Sequence, residues 1–359
     1  VSLFSDIYRN RRVLVTGHTG FKGTWLSQWL LEMGADVTGV ALAPETVPSH
    51  WNLLSPAVES SNIQDIRSSE RVAALMAQAR PEIVFHMAAQ PLVRRSYRDP
   101  HETWSVNVMG TLNVLEACRQ SPSVRAVVVV TTDKCYENFE IERGYREDDK
   151  LGGHDPYSAS KAAAELVAAS YRKSFFEKDG KVLLATARAG NVIGGGDWSE
   201  DRLIPDLVRA SAGGRPLVIR SPRATRPWQH VLEPLSGYLM LGQKLLLGDH
   251  SAAQAWNFGP DDESNQSVQN ILAGLRRYWP QISWDVQEES ALHEARLLHL
   301  DSTKARQSLG WQPQWSLEQC LEKTAVWYQA FLKEGALLTL PQIREYSALA
   351  QTQGASWAV

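Results

Sequence analysis

Between residues 11 and 188 the chain keeps one rhythm, and that rhythm limits the fold more than any single motif. Short apolar runs, RRVLVT (11–16), ADVTGV (35–40), PEIVFHMA (81–88), RAVVVV (125–130) and KVLLATAR (181–188), alternate with longer stretches of helical spacing. In FKGTWLSQWLLEMG (21–34), Trp25, Leu26, Trp29, Leu30 and Met33 share one face, and Gly34 ends the pattern. Similar spacing predicts helices over 68–79, 101–120 and 156–176. The four valines 127–130 present no polar face, so their strand needs cover on both sides. Strands joined through helices run parallel, because a tight turn cannot close a parallel pair. The expected fold class is α/β, a doubly wound parallel sheet.

After residue 190 the pattern changes. NVIGGGDW (191–198) is a glycine-rich loop, helices are predicted near 203–212 and 232–247, and strands at PLVI (216–219) and AWNF (255–258). Further helices begin near Ser267, Ser302 and Ser316, and the tail beyond about 336 holds one more without assignable chemistry. This predicts a dinucleotide-binding domain over 1–190 and a smaller mixed α/β substrate lobe over 191–359, with some chain crossing back. No repeat or long linker intervenes, so the two parts should pack closely around a cleft.

The loop TGHTGFKG (16–23) lies between the first strand and the first helix. Glycines there allow a sharp turn and close approach of a pyrophosphate, and the helix start offers free N–H groups. Within a βαβ chain this predicts a Rossmann-type dinucleotide seat, with Gly17, His18, Gly20, Phe21, Lys22 and Gly23 as candidate cofactor contacts. Lys22 either touches phosphate or is a solvated helix residue. The second strand ends Gly39, Val40, Ala41, Leu42, without the acid that usually grips the adenosine ribose. Looser cofactor binding is expected from that. Asp65 and Ile66, after the third strand, are placed to meet the adenine, or Asp65 caps a helix.

Composition excludes several classes. The 359 residues carry a formal net charge of −3 and no basic tract, which argues against nucleic acid as a partner. Cys118, Cys135 and Cys320 form no CxxC pair, which suits a reducing compartment. Cys135 beside Lys134 is either a low-pKa thiol or a small core residue. No run reaches membrane-spanning length and the N-terminal residues lack a signal-like apolar stretch, so a cytoplasmic protein without membrane contact is expected. His293-Glu294 followed by His299 lacks metal-binding helical spacing, so no metal is expected.

PYSASK puts Tyr157 and Lys161 four residues apart at a helix start, hence on one face. An ammonium beside a phenol favours the phenolate, which can take a proton from a sugar hydroxyl while hydride leaves the same carbon. Joined to the glycine loop and to Thr132 at a strand end, this resembles the extended short-chain dehydrogenase/reductase family, from Val13 to about Trp315. The resemblance implies NAD as cofactor and catalytic roles for Thr132, Tyr157 and Lys161, with Tyr157 and Lys161 also meeting the nicotinamide ribose. It places HMAAQ (86–90), and so Ala88, Ala89 and Gln90, beside the cofactor. It matches Asn107 to an Asn of the following helix, whose other reading is a buried residue fixing a kink.

The 4,6-dehydratase branch of that family carries two further acid–base groups after the Thr, and here they are Asp133 and Lys134. Lys stands where Glu is usual. As a base it must be neutral, and Asp133 must hold a proton to act as acid, so its pKa should rise. The alternative for the pair is a surface ion pair. The resemblance implies substrate contacts from Arg188, Asn191, Arg226 and Arg296. Longer segments, 152–166, 191–206 and 224–239, imply CDP-glucose as the sugar nucleotide and deoxysugar assembly as the purpose. It also implies a homodimer through helices 101–120 and 156–176, where Val106, Met109 and Val114 exceed what the sheet needs.

Overall fold

The structure is a computed structural model and describes residues 2–287 and 297–359. Seven strands, all parallel, form the central sheet in the spatial order 255–258, 183–189, 126–130, 83–86, 12–16, 36–41, 60–63. Side chains alternate across it. Val127 and Val129 join a cluster with Val72, Leu75, Val114 and Leu115 from the helices Ser69–Ala79 and Thr111–Gln120. Val128 and Val130 face the other way, into a larger core with Trp25, Trp29 and Leu235. Each buried valine contributes roughly 1.5 kcal/mol or more.

The second half of the chain completes this sheet. Ala255–Phe258 pairs with Leu183–Ala189 at the edge, and the helix Leu232–Leu246, buried on nearly every side, covers one face. The tail returns as well. Helix Thr339–Thr352 sets Tyr346 edge-on to Trp29, with ring centroids 5.7 Å apart, and Trp357 stacks on Phe4 at 5.0 Å.

The predicted helix 101–120 is three pieces. Pro100–Trp104 starts on an Asp99 cap and a proline in the first turn, a π turn follows at Ser105–Gly110, and Thr111–Gln120 resumes the α-helix. Strands 12–16 and 83–86 are neighbours, yet their following loops lead to opposite sides. The crevice between those loops, at the carboxyl edge, is where this architecture receives a ligand.

Candidate active site

A cleft of about 1090 Å³ opens over that crevice. Gly17, Gly20, Phe21, Lys22 and Gly23 line it from one side, Ala88, Ala89 and Gln90 from the other, and Asp65 and Ile66 at one end. Gly17 has φ +76° and a Cβ there would sit 2.8 Å from the Ala88 nitrogen; a Cβ on Gly23 would sit 2.0 Å from the Gly17 oxygen. Only glycine lets the loop lie this close to the helix start and to its neighbour, the geometry a pyrophosphate needs. Asp65 accepts from the Arg67 N–H and guanidinium, which hold its carboxyl below the usual range. These residues fit a dinucleotide.

Two expected cofactor contacts point elsewhere. The His18 ring is buried, packs edge-on to Trp51 and bonds the Ser61 hydroxyl at 2.8 Å. It fills the space above Gly39, where a Cβ would lie 2.4 Å from the ring, so the second strand carries a glycine there because the histidine occupies the place. Asn107 is buried in the π turn. Its Oδ1 accepts from the Gln90 N–H at 2.8 Å, and its Nδ2 donates to the Gln90 carbonyl and to the Ser160 hydroxyl. It braces the wall of the cleft and the Tyr157 helix instead of facing a ligand.

A second chamber of about 350 Å³ adjoins the cleft, and Lys22, Thr131, Tyr157 and Arg202 belong to the walls of both. Thr132, Asp133 and Lys134 line only the smaller one. The strand Ala126–Val130 ends, and a short 3₁₀ turn, Asp133–Cys135, begins under a cap in which Thr132 Oγ1 accepts from the Lys134 N–H. Thr132 donates to Asp133 Oδ1 at 2.9 Å; the other carboxylate oxygen is buried without a hydrogen-bond partner. Burial pushes the Asp133 carboxyl up, against the pull of Lys134, Thr132, Arg226 and Lys22. That is the direction an acid requires, and a surface ion pair does not describe it. Cys135 is a core residue whose thiol burial pushes up.

The helix Pro156–Tyr171 starts on an Asp155 cap, with Pro156 in the first turn. Tyr157, Lys161 and Glu165 follow one another along one face and are all buried. Lys161 Nζ donates to the Val130 carbonyl at 3.3 Å, and burial lowers it to about 8. Burial pushes Tyr157 up to about 12, opposite to the expected lowering; the hydrogen bond with Thr132 and the charge of Arg202 work against that rise. Lys22 is not a solvated residue. It reaches into the shared wall over the Tyr238 ring, 5.9 Å away, and burial, with Arg202 nearby, lowers it to about 7.

Asn191 and Arg226 line the smaller chamber. Arg188 does not. Its guanidinium is buried on Glu165 at 2.8 Å and on the Tyr136 hydroxyl, while Glu165 also accepts from Thr131 and Thr186. Strand alternation explains this: Thr186 and Arg188 share the face that meets Glu165. Arg296 lies outside the described residues, as do His293 and Glu294. Sequence reasoning missed Arg202, which Asp197 holds at 3.0 Å against both chambers. Its only signal was its place just after Gly194–Gly196. Among the described residues no His, Cys, Asp or Glu cluster could hold a metal ion, and no helix is long and apolar enough to cross a membrane.

Known proteins resemble this arrangement. Residues 14–324 match the family described as GDP-mannose 4,6 dehydratase. The CDP-glucose 4,6-dehydratase of Salmonella typhimurium is 50% identical over 336 residues, 91% of this chain and 93% of that protein. An epimerase structure from Methanothermobacter thermautotrophicus superposes with a TM-score of 0.80 at 24% identity, covering 95% of this chain and 96% of the other. The dTDP-glucose 4,6-dehydratase of Bacillus anthracis, solved with NAD, gives 0.75 at 21% identity, covering 90% and 97%. These two establish the fold. The family match and the half-identical relative go further: the chain belongs to the GDP-mannose 4,6-dehydratase family, within the extended short-chain dehydrogenases/reductases.

Proposed function

We propose that the chain converts CDP-glucose to CDP-4-keto-6-deoxyglucose, a 4,6-dehydration in which NAD ends each cycle unchanged. The observation that carries this is the smaller chamber, which a buried Asp133 with a raised pKa, Lys134 and Tyr157 line together. An oxidation or epimerisation needs Tyr157, Lys161 and Thr132 but has no use for the other two. The substrate follows the Salmonella relative, half identical and of nearly equal length.

When bound along the larger cleft, NAD would supply an acceptor for the hydride of hexose C4 and, once reduced, a hydride donor for C6. Gly17, Gly20 and Gly23 would cradle its pyrophosphate, Ile66 and Asp65 would meet its adenine end, and Lys161 would meet its nicotinamide ribose. In the first step Tyr157 takes the O4 proton, for which its phenol must ionise against the rise that burial imposes, and Thr132 fixes the oxygen. The C4 ketone acidifies the C5–H bond. Lys134 takes that proton while Asp133 gives its own to the C6 oxygen. The C6–O bond breaks, water departs, and C5 and C6 are left doubly bonded. Lys134 then returns its proton to C5 as C6 is reduced, and the proton taken up by Tyr157 passes to Asp133 through solvent, which resets both groups. Asn191 and Arg226, and Arg296, would hold the sugar and diphosphate, a task suited to guanidinium forks.

The assembly is proposed as a homodimer. Trp104, Met109, Leu166 and Phe175 remain exposed on the two helical stretches 100–120 and 156–176, whereas Val106 and Val114, expected to be spare, pack into the core beside the sheet. An apolar face of this kind suits a second copy. The cytoplasm is the proposed compartment, consistent with three free, buried cysteines.

The test is incubation with CDP-glucose and NAD followed by mass spectrometry. A product lighter by one water, without net reduced cofactor, is expected. An isomer of unchanged mass would make the enzyme an epimerase. Competition among CDP-, dTDP-, UDP- and GDP-glucose checks the base.

A further inference from the structure

The short helix Val93–Arg98 crosses the mouth shared by the two chambers, and three of its arginines reach in different directions. Arg94 pairs with Asp201 at 3.1 Å and Arg98 with Glu200 at 2.8 Å, both on the loop that ends in Arg202. Arg95 pairs with Glu45 at 2.7 Å, on the 42–48 segment lining the other lip, and is steadied by Glu102 at 2.9 Å. The base of the 197–202 loop is firmly held. Asp197 accepts from Ser199 and Arg202, the Tyr328 hydroxyl donates to the Asp197 carbonyl, and Arg209 donates to the carbonyls of Trp198 and Ser199. The tip, Glu200 and Asp201, is joined to helix 93–98 by ion pairs, and Asp201 adopts φ +56°, a conformation uncommon outside glycine.

We propose that Glu200 and Asp201, with Arg94 and Arg98, form a salt-sensitive latch over the cofactor mouth, with Arg95 and Glu45 closing the second lip. This rests on the reading of the larger cleft as the NAD seat. The latch pairs are exposed, between 34% and 63%, so they exchange with water and are screened by salt. An exposed pair changes an equilibrium by no more than about fivefold, so two together change the open fraction by no more than about 25-fold at low salt. Opening the latch frees the cofactor to exchange, while Asp197 keeps Arg202 in the wall shared by both chambers.

The experiment measures NADH release from the whole enzyme by stopped-flow fluorescence, at low and at high sodium chloride. Wild type is expected to release NADH faster as salt rises. Arg94→Glu with Arg98→Glu should release it several-fold faster at low salt and lose most of the salt dependence. Adding Glu200→Arg and Asp201→Arg to that variant should restore slow release. Equal release rates in all variants, or failure of the charge swap to restore, would overturn the latch while leaving the cleft as the NAD seat. No NADH binding by any of them, wild type included, would overturn the seat and the latch with it.

Discussion

In the proposed mechanism Asp133 is the residue on which the dehydration step turns. Its unpartnered oxygen and a pKa that burial raises both favour the protonated form that an acid needs. In Asp133→Asn the C4 oxidation should survive, while overall turnover falls by about 10²–10⁴-fold, the usual worth of one acid–base group. Reduced nicotinamide would then accumulate, visible by absorbance in a single turnover; normal turnover would remove Asp133 from the mechanism. Helical spacing made the placement of Tyr157 and Lys161 legible beforehand, and the end of an all-apolar strand that of Thr132, whereas the roles given to them and to Asp133 and Lys134 came from the family resemblance. Orientation was harder to read. Arg188 and His18 stand beside functional motifs but turn into the core, the first toward Glu165 and the second over Gly39. Arg202 left no trace except its place after a glycine loop.

Elements are positioned by a few buried polar knots. The Asn107 side chain joins the Gln90 backbone to Ser160 through three hydrogen bonds. Asn107→Ala leaves those groups unpaired in the interior and should cost about 2–4 kcal/mol in urea unfolding, with weaker NADH binding measured by fluorescence titration. A second knot is Glu233, which accepts from the Gln314 and Trp315 N–H groups and from the Tyr346 hydroxyl, tying the tail helix to the core. Burial raises its pKa from an ordinary 4.5 to about 7. A raised carboxyl favours folding while protonated. Its contribution is complete below about pH 4.5 and is lost as pH rises through about 7, on the order of 3 kcal/mol in all. Comparing Glu233→Gln with wild type by urea midpoints across that window should show the wild type losing stability relative to the variant as pH rises; parallel curves would contradict this. Five strands and the helices beginning at Phe21, Ser69, Pro100 and Pro156 start within one or two residues of where apolar periodicity puts them, whereas the short helices His50–Leu54 and Val93–Arg98 went unread. The π turn could not be read either, since its residues keep helical spacing, and the edge strand 60–63, SSNI, has little apolar content to announce it.

At the scale of the molecule, the sheet borrows its last strand and one covering helix from the second half, and the tail closes the core around Trp29. Long-range contacts of this kind leave no local signature, which is why the tail looked inert in sequence. The exposed apolar face of helices 100–120 and 156–171 predicts association. Leu166→Glu should convert a dimeric mass to a monomeric one in light scattering at micromolar concentration, with the circular dichroism spectrum unchanged; a monomeric wild type would contradict the dimer. The whole assembly of cleft, shared wall and acid–base pair implies that the hydrogen removed at C4 never leaves the enzyme before it is used again. The most direct measurement supplies CDP-glucose deuterated at C4 with unlabelled NAD and analyses the product by NMR and mass spectrometry. The account predicts one deuterium in the new C6 methyl group of a sugar that has lost water, and its absence from that methyl would contradict it.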